Sequence, residues 1–236
     1  MLKDYERLLD RQAPAITMDE SIVTTMARAL ASLSAKWASR FGQRSSEITD
    51  QLVGRVDAFN KKTLTGSLRE MSGGLTIKTP DMPKGLYDRL LATTRENVAL
   101  IKSIPAEYHQ RIEQTVMRSI QSGGSGSSTL LEEIRKIGQS TDKRAELIAV
   151  DQASKINTAM NDERLKSLGV RKFEWIHSGG GKEPRELHVS YDGQIFDMDD
   201  PPIIDERTGE RGLPGQLIHC RCRMRPIVDF SQYLES

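Results

Sequence analysis

Apolar positions recur every three or four residues through the first two-thirds of this 236-residue chain, and after Gly169 the spacing drops to two. A period near 3.6 lines one face of a helix, whereas a period of two lines one face of a strand. Residues 19–41 carry Ile22, Val23, Met26, Ala27, Leu30, Leu33, Ala35, Trp37 and Phe41, with Asp19-Glu20-Ser21 as the expected N-cap and Gly42 as the expected stop. Residues 46–71 repeat the pattern through Ile48, Leu52, Val53, Val56, Phe59, Leu64, Leu68 and Met71, and end at Ser72-Gly73-Gly74. Leu75–Thr79 is a short strand or an extended link, and Pro80 and Pro83 bracket a turn. A third helix is expected over 84–102 and a break at Ile104-Pro105, with Pro105 opening a fourth helix that runs to 121. Gly123–Ser128 reads as a flexible joint, and Ser128-Thr129 as the cap of a short fifth helix over 130–138. Residues 141–168, capped by Thr141-Asp142 and closed by Gly169, form the longest clean amphipathic helix, with a stripe of Ala145, Ile148, Gln152, Ile156, Ala159, Met160 and Leu165.

Beyond Gly169 the expected elements are a strand at Lys172–His177, a hairpin over Val189–Phe196 turning at Asp192-Gly193, and a last strand at Arg223–Val228. Asp197–Gly215 is expected to be a long loop. The fold class is therefore α+β: a long-helix N-terminal region followed by a small antiparallel-sheet domain packed on a long helix. The expected division is a helical region at 1–122, suited to binding a partner, and an α+β domain at 123–236, although helices on both sides of the joint can still pack as one unit. Trp175, Ile195, Phe196, Met224 and Ile227 are the expected core of the sheet, with Cys220 and Cys222 pointing to one side of the last strand and Arg221 and Arg223 to the other.

Composition narrows the classes. Aromatic residues make up only 5% of the chain, which favours long, partly exposed helices over a thick core. The net charge of +1 is split, with 18 basic against 14 acidic residues in 1–122 and 16 against 19 in 123–236. Neither half has the basic excess of a dedicated DNA-binding domain. No apolar run reaches the length of a membrane span and no signal peptide opens the sequence, so no membrane partner and a cytosolic place of synthesis are expected.

Chemistry concentrates near the C-terminal end, where both cysteines and three of the four histidines (His177, His188, His219) lie. His188, Cys220 and Cys222 are candidate zinc ligands, because Cys-x-Cys offers two thiolates on one side of a metal. His219 and Cys220, being adjacent, point apart in an extended segment. The plain alternative is two small buried cysteines on a strand edge. Arg221, Arg223 and Arg225 make a guanidinium row that could hold phosphates or acidic side chains, or stand as a solvated face partly neutralised by Asp197, Asp199, Asp200, Asp205 and Glu206. Gly179-Gly180-Gly181-Lys182 lacks the phosphate-loop spacing and reads as a hairpin tip. No nucleophile elbow is present, so these residues do not by themselves make an enzyme, and neither a catalytic residue nor a small-molecule substrate is expected.

Taken in order, several features resemble the phage Mu F-like minor head proteins, the phage head morphogenesis family. The helix over 145–168 ends in Leu168-Gly169-Val170, and a strand with Trp175 follows. Then come Arg185-x-x-His188, Asp192-Gly193-Gln194-Ile195-Phe196, Pro214-Gly215, and His219-Cys220-Arg221-Cys222 with Pro226-Ile227-Val228 behind it. Asn97–Pro105 and the helix up to Gly123 resemble the family's helical lead-in. Members often carry a polar triplet such as Arg-Thr-Glu in the long helix, where this chain has Val150-Asp151-Gln152. The resemblance covers about 90–230 and implies a minor structural protein inside a tailed-phage head. It would be bound near the portal and made with scaffold and major capsid proteins in the host cytoplasm, and it would assist head assembly and DNA packaging or ejection. Packaged DNA is an expected weak contact, carried by Arg221, Arg223, Arg225, Lys61, Lys62 and Lys182. The family domain also occurs joined to toxin domains. The alternative is therefore a metal-dependent hydrolase or nuclease, or a toxin-like domain, using His188, Cys220 and Cys222.

Overall fold

The structure, a computed structural model, describes residues 1–12, 22–79, 84–121, 127–180 and 183–230. Among them four helices precede the sheet region: α1 (Leu2–Gln12), α2 (Ile22–Met71), α3 (Lys84–Gln121) and α4 (Ser127–Ser167). There follow β1 (Lys172–Ile176), α5 (Glu186–Ser190), β2 (Ile195–Asp197), β3 (Ile203–Asp205), β4 (Glu210–Arg211) and β5 (Arg223–Ile227). This is the expected α+β class. The Asp19-Glu20-Ser21 cap, the Pro80–Pro83 turn, Gly123–Gly126 of the joint, Gly181 and Lys182 lie outside the described residues.

The helices are fewer and longer than their punctuation suggests. Gly42 lies inside α2 instead of ending it. A mid-helix glycine costs only about 1 kcal/mol, and the next turns stay helical, with the Ser45 hydroxyl bonding the Gly42 carbonyl at 3.0 Å and Thr49 bonding that of Ser45 at 2.8 Å. Pro105 lies inside α3 and is buried. Its local cost of about 3 kcal/mol is outweighed by burial of Ile104, Tyr108 and Ile112, which need the helix to continue. The separate helices at 130–138 and 141–168 are one helix. Thr141 is not a cap, since its hydroxyl bonds the Ile137 carbonyl one turn back at 2.9 Å. Gly138 stays helical because Leu2 packs there, with a Cδ only 3.3 Å from where a Cβ would stand.

Two compact units result. One comprises Met1–Thr49 with Arg95–Ile148, and the other Asp50–Thr94 with Ala149–Ser236. The first is all-helical, built around Tyr5, Met26, Leu30, Tyr108, Ile112, Val116, Ile134 and Ile137. Helices from both sides of the 123–126 segment thus share one core. The second holds a helical cluster (Val56, Leu86, Leu90, Ile156, Met160) and the core of the sheet.

In the second unit α4 ends as its sequence suggests. Gly169 adopts φ 76°, the Gly169 and Val170 amides return to the carbonyls of Lys166 and Leu165 at 3.0 Å each, and Leu165 and Val170 are both buried. The sheet has the antiparallel order β2-β1-β5, pairing Phe173 with Phe196 and Trp175 with Met224. Leu64 and Leu68 of α2, Ile77 of an extended link and Leu165 of α4 cover it.

Four sheet expectations need correction. Val189–Tyr191 is not a hairpin arm, because α5 and a turn occupy 186–193; burying His188 outweighs the strand preference of Val189 and Tyr191. The Asp192-Gly193 turn does form, with Gly193 at φ 77° and bonded to the Trp175 carbonyl at 2.8 Å. The 197–215 segment is not all loop, since β3 and β4 pair within it. Ile195 and Ile227 are exposed: Ile195 alternates with Phe196, which packs on Phe173 and Trp175, and in a period-two segment both cannot face inward. Finally, Cys220 and Cys222 precede β5 and do not sit on it.

Candidate functional site

The motif residues of the last quarter gather around Trp175, which β1 holds fully buried. The His188 ring meets the indole edge-on, with centroids 5.0 Å apart, and Tyr191 and Phe196 pack at 5.3 and 6.2 Å. His188 is only 3% exposed. Its Nε2 lies 3.0 Å from the Ile204 carbonyl, which can only accept. The proton is therefore on Nε2, and in the neutral ring the Nδ1 lone pair faces the other way. There it meets both cysteines, with Cys220 Sγ at 3.5 Å and Cys222 Sγ at 3.8 Å. Both are buried free thiols. The three ligand atoms lie within 4.8 Å of one another.

The remaining motif residues build the walls of this cluster. The Pro214-Gly215 corner docks on α4, where the Thr158 hydroxyl donates to the Pro214 carbonyl (2.8 Å) and the Ser154 hydroxyl to that of Gly215 (3.2 Å). Gly215 adopts φ 88°, and a Cβ there would stand 2.8 Å from Thr158 Oγ1 and 2.9 Å from Ser154 Oγ. Only glycine admits that approach. The Gly215 N–H then donates to Cys220 Sγ at 3.4 Å. The Arg185 guanidinium donates to the Ile218 carbonyl (2.9 Å), tying the segment before α5 to the cysteine loop. His219 takes φ 61° and its amide donates to Asp151 of α4 at 3.0 Å, so its ring is exposed and outside the cluster. His177 is engaged locally, its amide donating to Asp192 Oδ1 (2.7 Å) and its Nδ1 accepting from the Gly179 amide (3.2 Å).

Electrostatically the two thiols act as a pair. The hydrogen bond shared with Cys222 holds the Cys220 thiol below its ordinary range; burial opposes this, and contacts to His188 and the Gly215 amide add to it. The same shared proton, with burial, pushes Cys222 up, while the Trp175 indole beside it acts in the opposite sense. Apart from this approach to Cys222, the buried Trp175 indole N–H has no hydrogen-bond partner among the described residues.

The arginine row is real but not uniform. Arg221, Arg223 and Arg225 are all exposed. Arg225 forks onto Glu174 of the neighbouring strand, with Nε to Oε2 at 2.8 Å. Arg221 and Arg223 have no ion pair with a described residue. The acidic loop does not neutralise them: Asp199 pairs with Lys166 and Arg171, Asp200 with Arg211 and Asp205 with Arg207. Lys61 pairs with Asp57 at 3.1 Å.

Asp151, Ser154 and Thr158 are the site residues that pattern-reading overlooked. Their spacing of three and four puts them on one face of α4 beside the apolar stripe, which is the signal that could have found them. Nothing in the sequence marks the Ile204 carbonyl.

Residues 110–225 match the family described as Phage Mu protein F like protein. An uncharacterized protein of Haemophilus influenzae is 30% identical over 238 aligned residues, covering 99% of this chain and 51% of its own length. The uncharacterized protein YqbB of Bacillus subtilis is 27% identical over 161 residues, covering 64% of this chain and 52% of its own length. The chain thus spans about half the length of the curated relatives it matches. No solved structure matches it. The matched stretch takes in α4, Trp175 and β1, the His188 and cysteine cluster and the Pro214-Gly215 corner, and it places residues 110–225 of the chain in the phage Mu F-like family.

Proposed function

We propose that the chain is a minor head protein of a tailed phage, held inside the capsid near the portal, where it assists head assembly and DNA packaging or ejection. The observation that carries this is membership of the phage Mu F-like family, whose theme is head morphogenesis. Portal, scaffold and major capsid protein are its proposed partners, and its proposed role is structural.

The long helices supply a means of attachment. Phe59 of α2 and Tyr87 of α3 are 62% and 63% exposed. Covering such side chains on a partner contributes about 25 cal/mol per Å² of apolar area, less the cost of association. The test is co-expression with the portal, scaffold and major capsid proteins of the same genome, followed by affinity capture and cryo-EM of the particles. Co-purification that is lost in Phe59→Asp/Tyr87→Asp supports the reading. Failure to associate with any of the three overturns it.

Arg221 and Arg223, without an ion pair among the described residues, favour one accessory role, weak contact with packaged DNA. Duplex binding followed by anisotropy should weaken as salt rises, with a log–log slope of about −0.9 per phosphate contact. Arg221→Glu/Arg223→Glu should reduce that slope. Absence of binding at low salt removes the accessory role and leaves the head assignment standing.

A further inference from the structure

We propose that His188 Nδ1, Cys220 Sγ and Cys222 Sγ form a buried site for one zinc ion, which staples α5, the cysteine loop and the Pro214-Gly215 corner into one body. The inference is independent of where the protein sits in a particle.

Spacing is the first argument. Tetrahedral zinc with Zn–S of about 2.3 Å and Zn–N of about 2.0 Å requires N···S separations of about 3.5 Å and an S···S separation of about 3.8 Å. The ring nitrogen stands 3.5 and 3.8 Å from the two sulfurs, and the three atoms fall within 4.8 Å of one another. The two nitrogen–sulfur separations match those of zinc ligands, and the sulfurs are close enough to each other to serve one ion.

Donor accounting is the second. A neutral His188 whose Nε2–H is committed to Ile204 offers a single lone pair at Nδ1, and two thiols compete for it. That lone pair accepts from one thiol at a time, leaving the other to donate to its neighbour's sulfur, whereas one metal ion binds all three atoms at once. Fixing the far ring nitrogen on a backbone carbonyl is also how metal-bound histidines are oriented.

Charge is the third. Two thiolates and a neutral imidazole carry −2, which a divalent cation cancels, so the buried site becomes neutral without a further counter-ion. Thiolate and imidazole together select zinc over calcium or magnesium. The surroundings suit sulfur as thiolate: the Gly215 amide donates to Cys220, and the Trp175 N–H beside Cys222 is otherwise unpartnered. A water would complete the tetrahedron, and the indole N–H is a donor for that water or for the Cys222 thiolate.

The test uses the full chain, purified under reducing conditions without chelator and without a polyhistidine tag. Elemental analysis should find one zinc per chain. After stripping with a chelator, cobalt(II) titration should produce a thiolate-to-cobalt charge-transfer band that saturates at one equivalent, and adding zinc should abolish the band and raise the unfolding midpoint. Cys220→Ser/Cys222→Ser should lose both metal and band, while His219→Ala, whose ring is outside the cluster, should keep both. If the double variant fails to fold, the wild-type cobalt spectrum decides alone. Wild-type protein that retains no zinc and gives no charge-transfer band overturns the proposal, as does an undiminished band in the folded double variant.

Discussion

At the scale of single residues, glycines with the same backbone twist carry different burdens. Gly215 and Gly209 both adopt positive φ, +88° and +70°. Gly209 faces open space, so Gly209→Ala should cost only the left-handed backbone penalty, about 1–2 kcal/mol. Gly215→Ala adds a Cβ under 3 Å from Thr158 and Ser154, whose hydroxyls hold the corner and cannot retreat without releasing its carbonyls. It should cost about 3–4 kcal/mol, read as a lower urea midpoint for unfolding. Equal losses for the two variants would mean that the corner is looser than it looks.

At the scale of elements, α2 and α4 are joined by a buried polar network. Arg164 of α4 is fully buried and donates to Asp57 and Asn60 of α2. The Asn60 amide in turn donates to Asn157 Oδ1 (2.9 Å) and Asn161 Oδ1 (2.7 Å). Removing the charge from the middle should be expensive, and Arg164→Ala should lose about 3–5 kcal/mol in chemical denaturation. The pair also predicts a pH effect. Burial works against the Asp57 carboxylate, but hydrogen bonds from Arg164 and Lys61 prevail and set its pKa below the ordinary 3.8. A carboxyl depressed on folding contributes stability that is complete above its unfolded value and is lost as pH falls through the folded one. Asp57→Asn should therefore flatten the loss of stability below pH 3.8, measured as unfolding midpoint against pH. An unchanged acid limb would remove Asp57 from the account.

At the scale of the whole molecule, two units are assembled from interleaved stretches of chain. The sheet core takes Leu64, Leu68 and Ile77 from upstream of α3. A fragment beginning at residue 123 keeps every strand and the His188 cluster but loses those three buried side chains. It should be far less stable than the full chain, with poor amide dispersion by NMR. A fragment that adds residues 50–94 should recover dispersion; a well-folded 123–236 fragment would show that the upstream contribution is dispensable. No helix among the described residues is long and apolar enough to cross a membrane.

Local spacing determined what short-range physics can carry. The switch of period at Gly169, the glycine-closed end of α4, the turn at Asp192-Gly193 and the two longer strands are all legible, because each depends on a few neighbouring residues. The ordered motif from Trp175 to Cys222 was likewise enough to indicate the family. Tertiary structure decided the rest. Gly42 and Pro105 read as breaks and Thr141-Asp142 as a new cap, yet packing of buried faces outweighs the local cost and keeps three helices continuous. Ile195 and Phe196 are equally apolar, and only the pairing with β1 determines which one faces Phe173. The gathering of His188 with two cysteines more than thirty residues away depends on a carbonyl from β3, an arginine on the Ile218 carbonyl and a proline-glycine corner held by α4. Backbone atoms carry no sequence signature, and so the site could be suspected from its residue types but assembled only by the fold.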